Sequence, residues 1–326
     1  MSFSAESLDF DIAGEIAVIV AAVGDAVHQT LRRRGAVVAV SGGIDSAACA
    51  ALCVHALGAE RVQLIALPEA SSSPESLVLA RELAAALGAD LLVDDLTAAL
   101  AGAGCYDRQM DAIRQAVPEY GEGWKHKLSI PSILEGNRLN VTRLTVEDPA
   151  GNQRTVRMPP AAYLQLVAAT NYKQRLRTTT AYYHADRLHY AVCGTPNRLE
   201  FDQGFFVKGG DGLADFKPIA HLYKTQVVHV AAALGVPQGI LDRTPTTDTF
   251  SLAQTQDEFY FALPYHQMDL CLYAHNHGVP AEAAATVVGL TAEQVGRVYD
   301  DIEAKRRATA PLHVQGLLVR PVPEIH

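Results

Sequence analysis

A glycine-containing turn between two regular elements is the feature that most constrains this sequence. Residues 41–46 read S-G-G-I-D-S and separate a β-branched run, Ala36–Val40, from an alanine-rich stretch that reaches about Leu57. A buried strand that enters a helix through two glycines collects free backbone N–H groups at the positive end of the helix dipole. The segment therefore predicts an anion-binding turn, with a plain strand-to-helix connection as the alternative. It does not follow the Walker pattern, because no lysine follows the glycines.

The order of the apolar runs predicts the fold class. Val62–Leu67 and Asp90–Leu96 are interpreted as strands, and Pro74–Gly88 between them as a helix. Strands that alternate with helices form parallel sheets through right-handed crossovers. The sequence thus predicts an α/β protein with a doubly wound parallel sheet. An amphipathic pattern over residues 11–34 predicts a first helix that ends in three arginines, and helical patterns from about Glu258 onward predict a helical C-terminal part.

The helix–strand alternation is interrupted between about residues 120 and 160. Leu139–Val146 and Arg154–Met158 are interpreted as two strands around the turn sequence D-P-A-G-N at residues 148–152. This hairpin predicts a flap inserted at 120–160 into a single domain that spans residues 1–326.

Charge and cysteine content limit the partners and the compartment. The chain carries 27 Lys+Arg against 36 Asp+Glu, a net charge of −9 at pH 7, whereas a broad nucleic-acid surface would be basic. The cysteines include no C-x-x-C pair, and residues 1–10 lack the basic and apolar regions of a signal peptide. The apolar stretch Ile12–Ala26 is too short to span a membrane. We therefore expect a cytoplasmic protein with no nucleic-acid or membrane partner.

Several ordered segments resemble one known family. The turn at residues 41–46 is similar to the pyrophosphate-binding loop of the N-type ATP pyrophosphatases, whose fold is adenine nucleotide alpha hydrolase-like. Three segments that begin at residues 171, 194 and 204 resemble motifs of NAD synthetases: N-Y-K-Q-R-L-R, G-T-P-N-R-L-E and G-F-F-V-K-G-G-D-G-L-A-D. P-I-A-H-L-Y-K, which ends at Lys224, and P-T-T-D at residues 245–248 match further motifs in the same order. The chain is identified on these residues as a member of the NAD synthetase family, similar to its ammonia-dependent type.

The resemblance implies an ATP-dependent ligase that forms a C–N bond. In this family the nicotinate carboxylate of deamido-NAD attacks the α-phosphate of ATP, which gives an acyl-adenylate and pyrophosphate. Ammonia then displaces AMP and leaves the amide of NAD. Two alternatives stay open: the same adenylation and amidation of a different carboxylic acid, and a non-catalytic nucleotide-binding protein on the same scaffold. The metal-binding carboxylates and the lysine that the motifs retain argue against the second.

The family motifs also imply which residues form the site. The residues implied for ATP are Ser41, Gly42, Gly43, Asp45, Ser46, Thr195, Lys224 and Thr246. Mg²⁺ would be held by Asp45 and Glu200, since carboxylates suit a hard cation. The residues implied for deamido-NAD are Arg175, Lys208 and Asp215, with Lys305 and Arg306 in place of the H-K pair of the family.

Expectations about partners follow from the resemblance and from one departure. Members of the family are homodimers with deamido-NAD at the subunit interface, so we expect a homodimer. A-L-P-E-A-S-S at residues 66–72 is closer to the long, glutamine-dependent members, which carry a fused glutaminase domain. Only about 35 residues precede the turn in this sequence, so we expect free ammonia, or a separate glutaminase subunit, as the nitrogen source.

The insertion at 120–160 leaves two interpretations. It is a surface elaboration or dimer-contact flap, or it remodels the acceptor pocket for a different acid. The second interpretation follows from its position directly before the helix that contains Arg175. In that case the side chains of Trp124–Lys127 would line the pocket.

Overall fold

The centre of the fold is a parallel sheet. The computed structural model describes residues 3–130, 142–244, 250–252, 260–261 and 263–323. Its strands are β1 (Ala36–Ala39), β2 (Val62–Ala66), β3 (Asp90–Val93), β4 (Lys125–Ser129), β5 (Arg143–Glu147), β6 (Gln153–Arg157) and β7 (Ala191–Cys193). Four of them run parallel in the order β3-β2-β1-β7, and β4, β5 and β6 form a separate antiparallel sheet.

Helices cover both faces of the parallel sheet. Within the described residues they are α1 (Ile12–Asp25), α2 (Ile44–Leu57), α3 (Pro74–Leu87), α4 (Thr97–Gly102), α5 (Cys105–Arg114), α6 (Pro160–Leu188), α7 (Arg198–Gln203), α8 (Lys224–Ala233), α9 (Gln238–Leu241), α10 (Tyr265–Asn276), α11 (Ala281–Val288) and α12 (Ala292–His313). Val38 and Leu64 pack against α1, α2 and α8, whereas Val37 and Ile65 pack against α6 on the other face. This two-sided burial explains why the strands β1 and β7 are apolar throughout. The predicted doubly wound parallel sheet is confirmed.

The N-terminal helix ends earlier than its sequence pattern predicts. After α1 a π-helical turn covers Ala26–Thr30, and Arg32 adopts a left-handed φ of 51°. The backbone N–H of Arg34 then donates to the carbonyl of His189 at 3.0 Å, next to the start of β7. The three arginines therefore lie beyond the helix and lead the chain into β1, because pairing with the sheet replaces the last predicted turns.

The insertion contains a three-stranded sheet, one strand more than the predicted hairpin. β5 and β6 correspond to the predicted strands, although residues 139–141 lie outside the described residues. The predicted turn is confirmed, since Asp148 Oδ1 accepts the N–H groups of Ala150 and Asn152, each at 2.9 Å. β4 was not predicted, because K-H-K-L-S contains only one apolar residue and so lacks the alternation typical of a half-buried strand.

This flap is packed into the body of the molecule. Leu144 and Val146 of the flap are buried together with Ile113 of α5 and Leu166 of α6. At the other edge of β4, the carbonyl of His126 accepts the N–H of Leu252 at 3.0 Å. The flap is thus fixed beside α6 and beside the segment 250–252.

The C-terminal part is helical, as the sequence predicts. Its core contains Met268 of α10 together with Val295, Val298 and Ile302 of α12. α10 begins after Pro264, because proline suits the start of a helix and disrupts its interior, and the predicted start at about residue 258 lies outside the described residues. Among the described helices, none combines the length and the apolar character that crossing a membrane requires.

Candidate active site

The turn at residues 41–46 joins β1 to α2. Gly42 has a φ of 73°, and a Cβ atom there would lie 2.8 Å from the carbonyl oxygen of Ser76, so a glycine is required. The Ser46 hydroxyl donates to the carbonyl of Gly43 at 2.9 Å and accepts the N–H of Ser41 at 3.3 Å. These contacts fix the start of α2 at the carboxyl end of β1. No carbonyl within α2 can accept the N–H groups of its first turn, so these groups can bind an anion.

Asp45 and Glu200 belong to one polar cluster beside this turn. Asp45 Oδ2 forms an ion pair with Nζ of Lys224, and its Oδ1 accepts a hydrogen bond from Nδ2 of Asn197 at 3.2 Å. The backbone N–H of Asn197 donates to Glu200 Oε2 at 3.1 Å, and the N–H of Glu200 donates to Asn197 Oδ1 at 3.2 Å. Asn197 is fully buried and begins α7. It therefore links the two carboxylates and orients both.

The electrostatics of this cluster fit a divalent cation. Burial, and then the negative charge of Asp45, raise the pKa of Glu200 to about 8, although Lys224 acts in the opposite direction. Two carboxylates that repel each other in this way would both be neutralised by a hard cation. Within the described residues, no three His, Cys, Asp or Glu side chains are grouped so as to hold a metal. A cation at Asp45 and Glu200 would therefore take its other ligands from phosphate oxygens and water.

The turn and the polar cluster line one cavity of about 740 Å³. The cavity lies at the carboxyl ends of β1 and its two neighbours, β2 and β7, where the direction of chain progression reverses. Ligands bind at such a switch point in open α/β sheets, and the volume suits a nucleotide. The predicted site residues that line the cavity are Ser41, Gly43, Asp45, Ser46, Thr195, Glu200, Lys224 and Lys305. Thr246 lies outside the described residues.

Two of the residues predicted to contact deamido-NAD lie on the surface of the chain. Arg175 is exposed, and its Nε donates to the backbone carbonyl of Lys208 at 3.2 Å. Lys208 Nζ donates to the carbonyls of Pro311 and Val314, at 2.9 and 2.7 Å, at the C-terminal end of α12. The two side chains are thus close together, but neither lines the cavity.

The remaining predicted residues have separate partners. Asp215 accepts the N–H of Val192 at 2.7 Å, which fixes the segment after α7 to the sheet. Arg306 binds both carboxylate oxygens of Asp202 at 2.7 Å and does not line the cavity. Lys305 pairs with Asp301 at 2.7 Å and lines the cavity, while burial lowers its pKa. Of the Lys305-Arg306 pair, it is therefore the lysine that faces the cavity.

The flap also contributes to the cavity wall. Leu128, Ile130 and Thr142 line it, and the side chains of Trp124–Lys127 do not. His126 is buried, with its Nδ1 2.8 Å from the hydroxyl of Tyr120. Residues 124–127 form the core and the outer surface of the flap and do not line this cavity, so their place in an acceptor pocket stays a prediction.

Sequence reasoning did not single out two residues of the site. Arg243 lines the cavity, and its guanidinium donates to the Gly42 carbonyl at 3.2 Å and to the Ser76 hydroxyl at 3.1 Å. A basic residue just before the P-T-T-D motif was the available signal. The signal for Asn197 was the N-x-x-E spacing of a helix-capping box.

Sequence comparisons identify the family. A model of the family described as NAD synthase matches residues 15–115 and 138–309, and the gap falls largely within the inserted flap. A protein of Mesorhizobium japonicum named NH(3)-dependent NAD(+) synthetase is 58% identical over 311 residues, which are 95% of this chain and 98% of that protein. A protein of the same name from Rhizobium rhizogenes is 54% identical over 98% of this chain and 97% of its own length.

Solved structures agree on the fold. The structure of an NMN synthetase from Francisella tularensis aligns with a TM-score of 0.62 and 22% identity, over 96% of this chain and 100% of that one. An NH3-dependent NAD synthetase from Campylobacter jejuni aligns with a TM-score of 0.60 and 18% identity, over 95% and 100%. At these identities the structures establish the fold alone. The family follows from the sequence matches: this chain belongs to the NAD synthase family.

Proposed function

We propose that this chain converts deamido-NAD to NAD with ATP and ammonia, and is thus a ligase that forms a C–N bond. The observation that carries the proposal is the identity of more than half of the residues, over nearly the whole chain, with proteins named NH(3)-dependent NAD(+) synthetase. The cavity supports it, because it combines an anion-binding turn, two carboxylates and a buried lysine.

ATP would lie in the cavity with its phosphates at residues 41–46. The free N–H groups of α2, the hydroxyls of Ser41 and Ser46 and the ammonium of Lys224 can all donate to phosphate oxygens. The nucleoside would lie beside the segment that follows the adjacent strand β2, where Leu67, Pro68, Ser72 and Ser73 line the same cavity. The assignment of Thr195 and Thr246 to this site stays a proposal.

We assign Mg²⁺ to Asp45 and Glu200. The raised pKa of Glu200 beside Asp45 supports this assignment, because a cation would neutralise the repulsion that causes it. When bound, the ion would supply positive charge to the phosphates of ATP. Asn197 and Lys224 hold the two carboxylates in place through the contacts described above.

The reaction needs two bond exchanges. A carboxylate oxygen of the acid attacks the α-phosphorus, and the bond from that phosphorus to the bridging oxygen of pyrophosphate breaks. The N–H groups of the turn and Lys224 would stabilise the charge that develops on the leaving pyrophosphate. The nitrogen of ammonia then attacks the acyl carbon, AMP leaves with the electron pair of the broken C–O bond, and a proton passes to solvent. Free ammonia follows the names of the relatives, so a separate glutaminase subunit is not needed.

Deamido-NAD is favoured over a different acid. An alignment that covers 311 of the 326 residues omits too few positions to skip an insertion at 120–160. The relative from Mesorhizobium japonicum therefore contains most of the flap and bears the name of an NAD synthetase. This favours a flap that accompanies the usual acceptor over one that changes it.

A homodimer is part of the proposal. Along α6 the side chains of Leu164, Tyr172 and Tyr183 are 65%, 36% and 64% exposed, and Arg175 lies among them. A second copy packed on this helix would cover the apolar side chains and bring Arg175 and Lys208 to the interface. Light scattering should give a dimer, and Leu164→Glu with Tyr183→Glu should give a monomer.

A single domain over 1–326 and a cytoplasmic location remain predictions.

A product assay tests the activity. The protein is incubated with ATP, Mg²⁺, ammonium and deamido-NAD, and both pyrophosphate and NAD are quantified. We expect equal amounts of the two products, and neither without the acid. Pyrophosphate release with nicotinate mononucleotide but not with deamido-NAD would favour the alternative acceptor. No release with any acid in a panel of nicotinate-like acids would overturn both enzyme hypotheses.

A further inference from the structure

A buried ion pair lies directly behind the wall of the cavity. Lys173 Nζ of α6 contacts Glu69 Oε1 at 3.0 Å, and the two side chains are 1% and 0% exposed. Glu69 follows β2 in the A-L-P-E-A-S-S segment that departs from the short members of the family. The pair therefore joins two segments that are about a hundred residues apart in sequence.

Two further side chains, those of Tyr106 and Ser71, form hydrogen bonds with this pair. The hydroxyl of Tyr106 in α5 donates to Glu69 Oε2 at 2.9 Å, so both carboxylate oxygens have partners. Lys173 Nζ also donates to the Ser71 hydroxyl at 3.1 Å and lies 5.5 Å from the centre of the Tyr106 ring. Charge, hydrogen bonds and ring contact thus fix the carboxylate of Glu69 in one place. We call Glu69, Ser71, Tyr106 and Lys173 the clamp.

The clamp is connected to the cavity through one short turn. The N–H of Glu69 donates to the Ser72 hydroxyl at 3.1 Å, and the N–H of Ser72 donates to the Glu69 carbonyl at 2.8 Å. Ser72 and Ser73 line the cavity, and Glu69 does not. Arg177, one helical turn beyond Lys173, donates to the Leu67 carbonyl at 3.3 Å and to the Ser72 hydroxyl at 3.4 Å. A shift of Glu69 would therefore move the cavity residues that follow β2.

We propose that Lys173, Glu69 and Tyr106 are positioning residues that hold the segment after β2 in the geometry that receives the nucleoside of ATP. The inference rests on the proposed function, because it assumes that the cavity binds ATP. It adds to that function a role for residues that have no direct contact with the cavity. The clamp sets the nucleoside side of the cavity, while the turn at residues 41–46 sets the phosphate side.

Physical reasoning favours positioning over stability as the use of this pair. Two charges lose much of their hydration when they are buried, so a buried ion pair contributes little net stability compared with apolar side chains of the same volume. Removal of one partner is costly because it leaves a buried charge without compensation. The pair does specify one arrangement of α6 relative to the segment after β2, and that arrangement is what the cavity needs.

The test uses paired variants and a binding measurement. Glu69→Gln with Lys173→Met removes both charges at similar volume, and Tyr106→Phe removes one hydroxyl. Calorimetry with a non-hydrolysable ATP analogue measures the nucleotide site without any acid, so a wrong acceptor does not affect it. We expect the affinity to fall about tenfold in the double variant and about threefold in Tyr106→Phe. In turnover, KM for ATP should rise by the same factors, with KM for deamido-NAD unchanged.

Tyr299→Phe is the matched control. The Tyr299 hydroxyl donates to the Val279 carbonyl at 3.1 Å, so its loss removes one tyrosine hydrogen bond in a core cluster that contains no residue of the clamp. The control should leave the affinity for the analogue unchanged. An affinity within twofold of wild type in both clamp variants, or an equal rise of both KM values, would overturn the proposal. If the double variant does not fold, Tyr106→Phe decides by the same criterion.

Discussion

The cavity cluster and the exposed set of predicted substrate residues differ in how their charges are held. In the cluster, Asp45 and Lys224 have side chains that are 15% and 4% exposed, and they bind each other. In the exposed set, Arg175 and Lys208 donate to backbone carbonyls on the surface. A buried charge needs a fixed partner, whereas an exposed one is hydrated and can exchange its partner.

The difference indicates how far a single chain can form each of these two binding regions. In the cluster, Asn197 and Lys224 hold the two carboxylates in fixed positions within one chain. In the exposed set, the positively charged side chains of Arg175 and Lys208 lie close together on an open surface and not in a pocket. Under the proposed homodimer, the second copy and the bound dinucleotide would supply the walls of a pocket. Loss of a cluster residue should therefore reduce the rate of the reaction, and loss of an exposed residue should weaken binding of one substrate.

Asp45→Asn should give the largest effect. The change keeps the shape of the side chain but removes one of the two proposed metal ligands and the partner of Lys224. We expect kcat for pyrophosphate release to fall about 10³-fold. Asp300→Asn, on the exposed side of α12, is the control and should keep wild-type activity. Activity of Asp45→Asn within tenfold of wild type would contradict the assignment of Asp45.

Lys224→Met should reduce kcat about 10²-fold, because it removes positive charge from the proposed phosphate site while preserving much of the side-chain volume. Lys224→Arg should recover part of the rate, since it restores the charge but not the geometry. Single-turnover measurement of pyrophosphate release separates this effect from weaker ATP binding. If Arg and Met at position 224 behave alike, the charge is not what matters.

Arg243→Met tests the edge of the cluster. Its guanidinium holds the carbonyl of Gly42 and the hydroxyl of Ser76, so its loss should loosen the turn at residues 41–46. We expect KM for ATP to rise about tenfold and KM for deamido-NAD to stay constant. Arg81→Met, in α3 with an exposed side chain, is the matched control. A rise of both KM values together would show that Arg243 supports the whole fold and not the ATP site.

Arg175→Ala should give the opposite pattern. Steady-state kinetics should show KM for deamido-NAD raised about fivefold, the modest effect of one exposed charge, with KM for ATP unchanged. Arg187→Ala, exposed near the other end of α6, is the control. An increased KM for ATP in Arg175→Ala would contradict the proposal that the exposed set and the cavity cluster bind different substrates.

Mild acid should destabilise the flap rather than the cavity cluster or the exposed set. Burial, and then the charge of Lys173, lower the pKa of His126 to about 3, below its ordinary value of 6.5. Below pH 6.5 the unfolded chain takes up a proton at His126 that the folded chain does not. The free energy of unfolding therefore decreases as the pH is lowered. Between pH 7 and pH 5 this contributes a loss of about 2 kcal/mol in the free energy of unfolding.

His126→Gln isolates that contribution. Urea unfolding of both proteins at pH 7 and pH 5 should show the stability difference between them shrink by about 2 kcal/mol at the lower pH. A difference that does not change with pH would mean that His126 is protonated in the folded protein. Because His126 does not line the cavity, KM for ATP measured at pH 7 should change less in this variant than in Arg243→Met.

Local patterns were sufficient where the physical cause is local. The turn at residues 41–46, the strands β1 and β2 and the helix α2 each follow from apolar runs and glycines that are adjacent in sequence. Asp45, Glu200 and Lys224 could be predicted from the sequence, because each belongs to a short motif and these motifs occur in the same order as in the family. The end of the first helix and the strand β4 were missed, since pairing with distant residues decided both.

The sequence by itself determined the glycine turn between β1 and α2, the α/β class and the family, because glycine geometry, apolar periodicity and ordered motifs need no distant partner. The tertiary structure alone decided that the S-G-G-I-D-S turn is completed by Arg243 and Asn197, and that Glu69 meets Lys173 behind it. It also decided that Lys305 faces the cavity while Arg306 does not. These contacts join residues far apart in the chain, and which of them form depends on how the helices pack on the sheet.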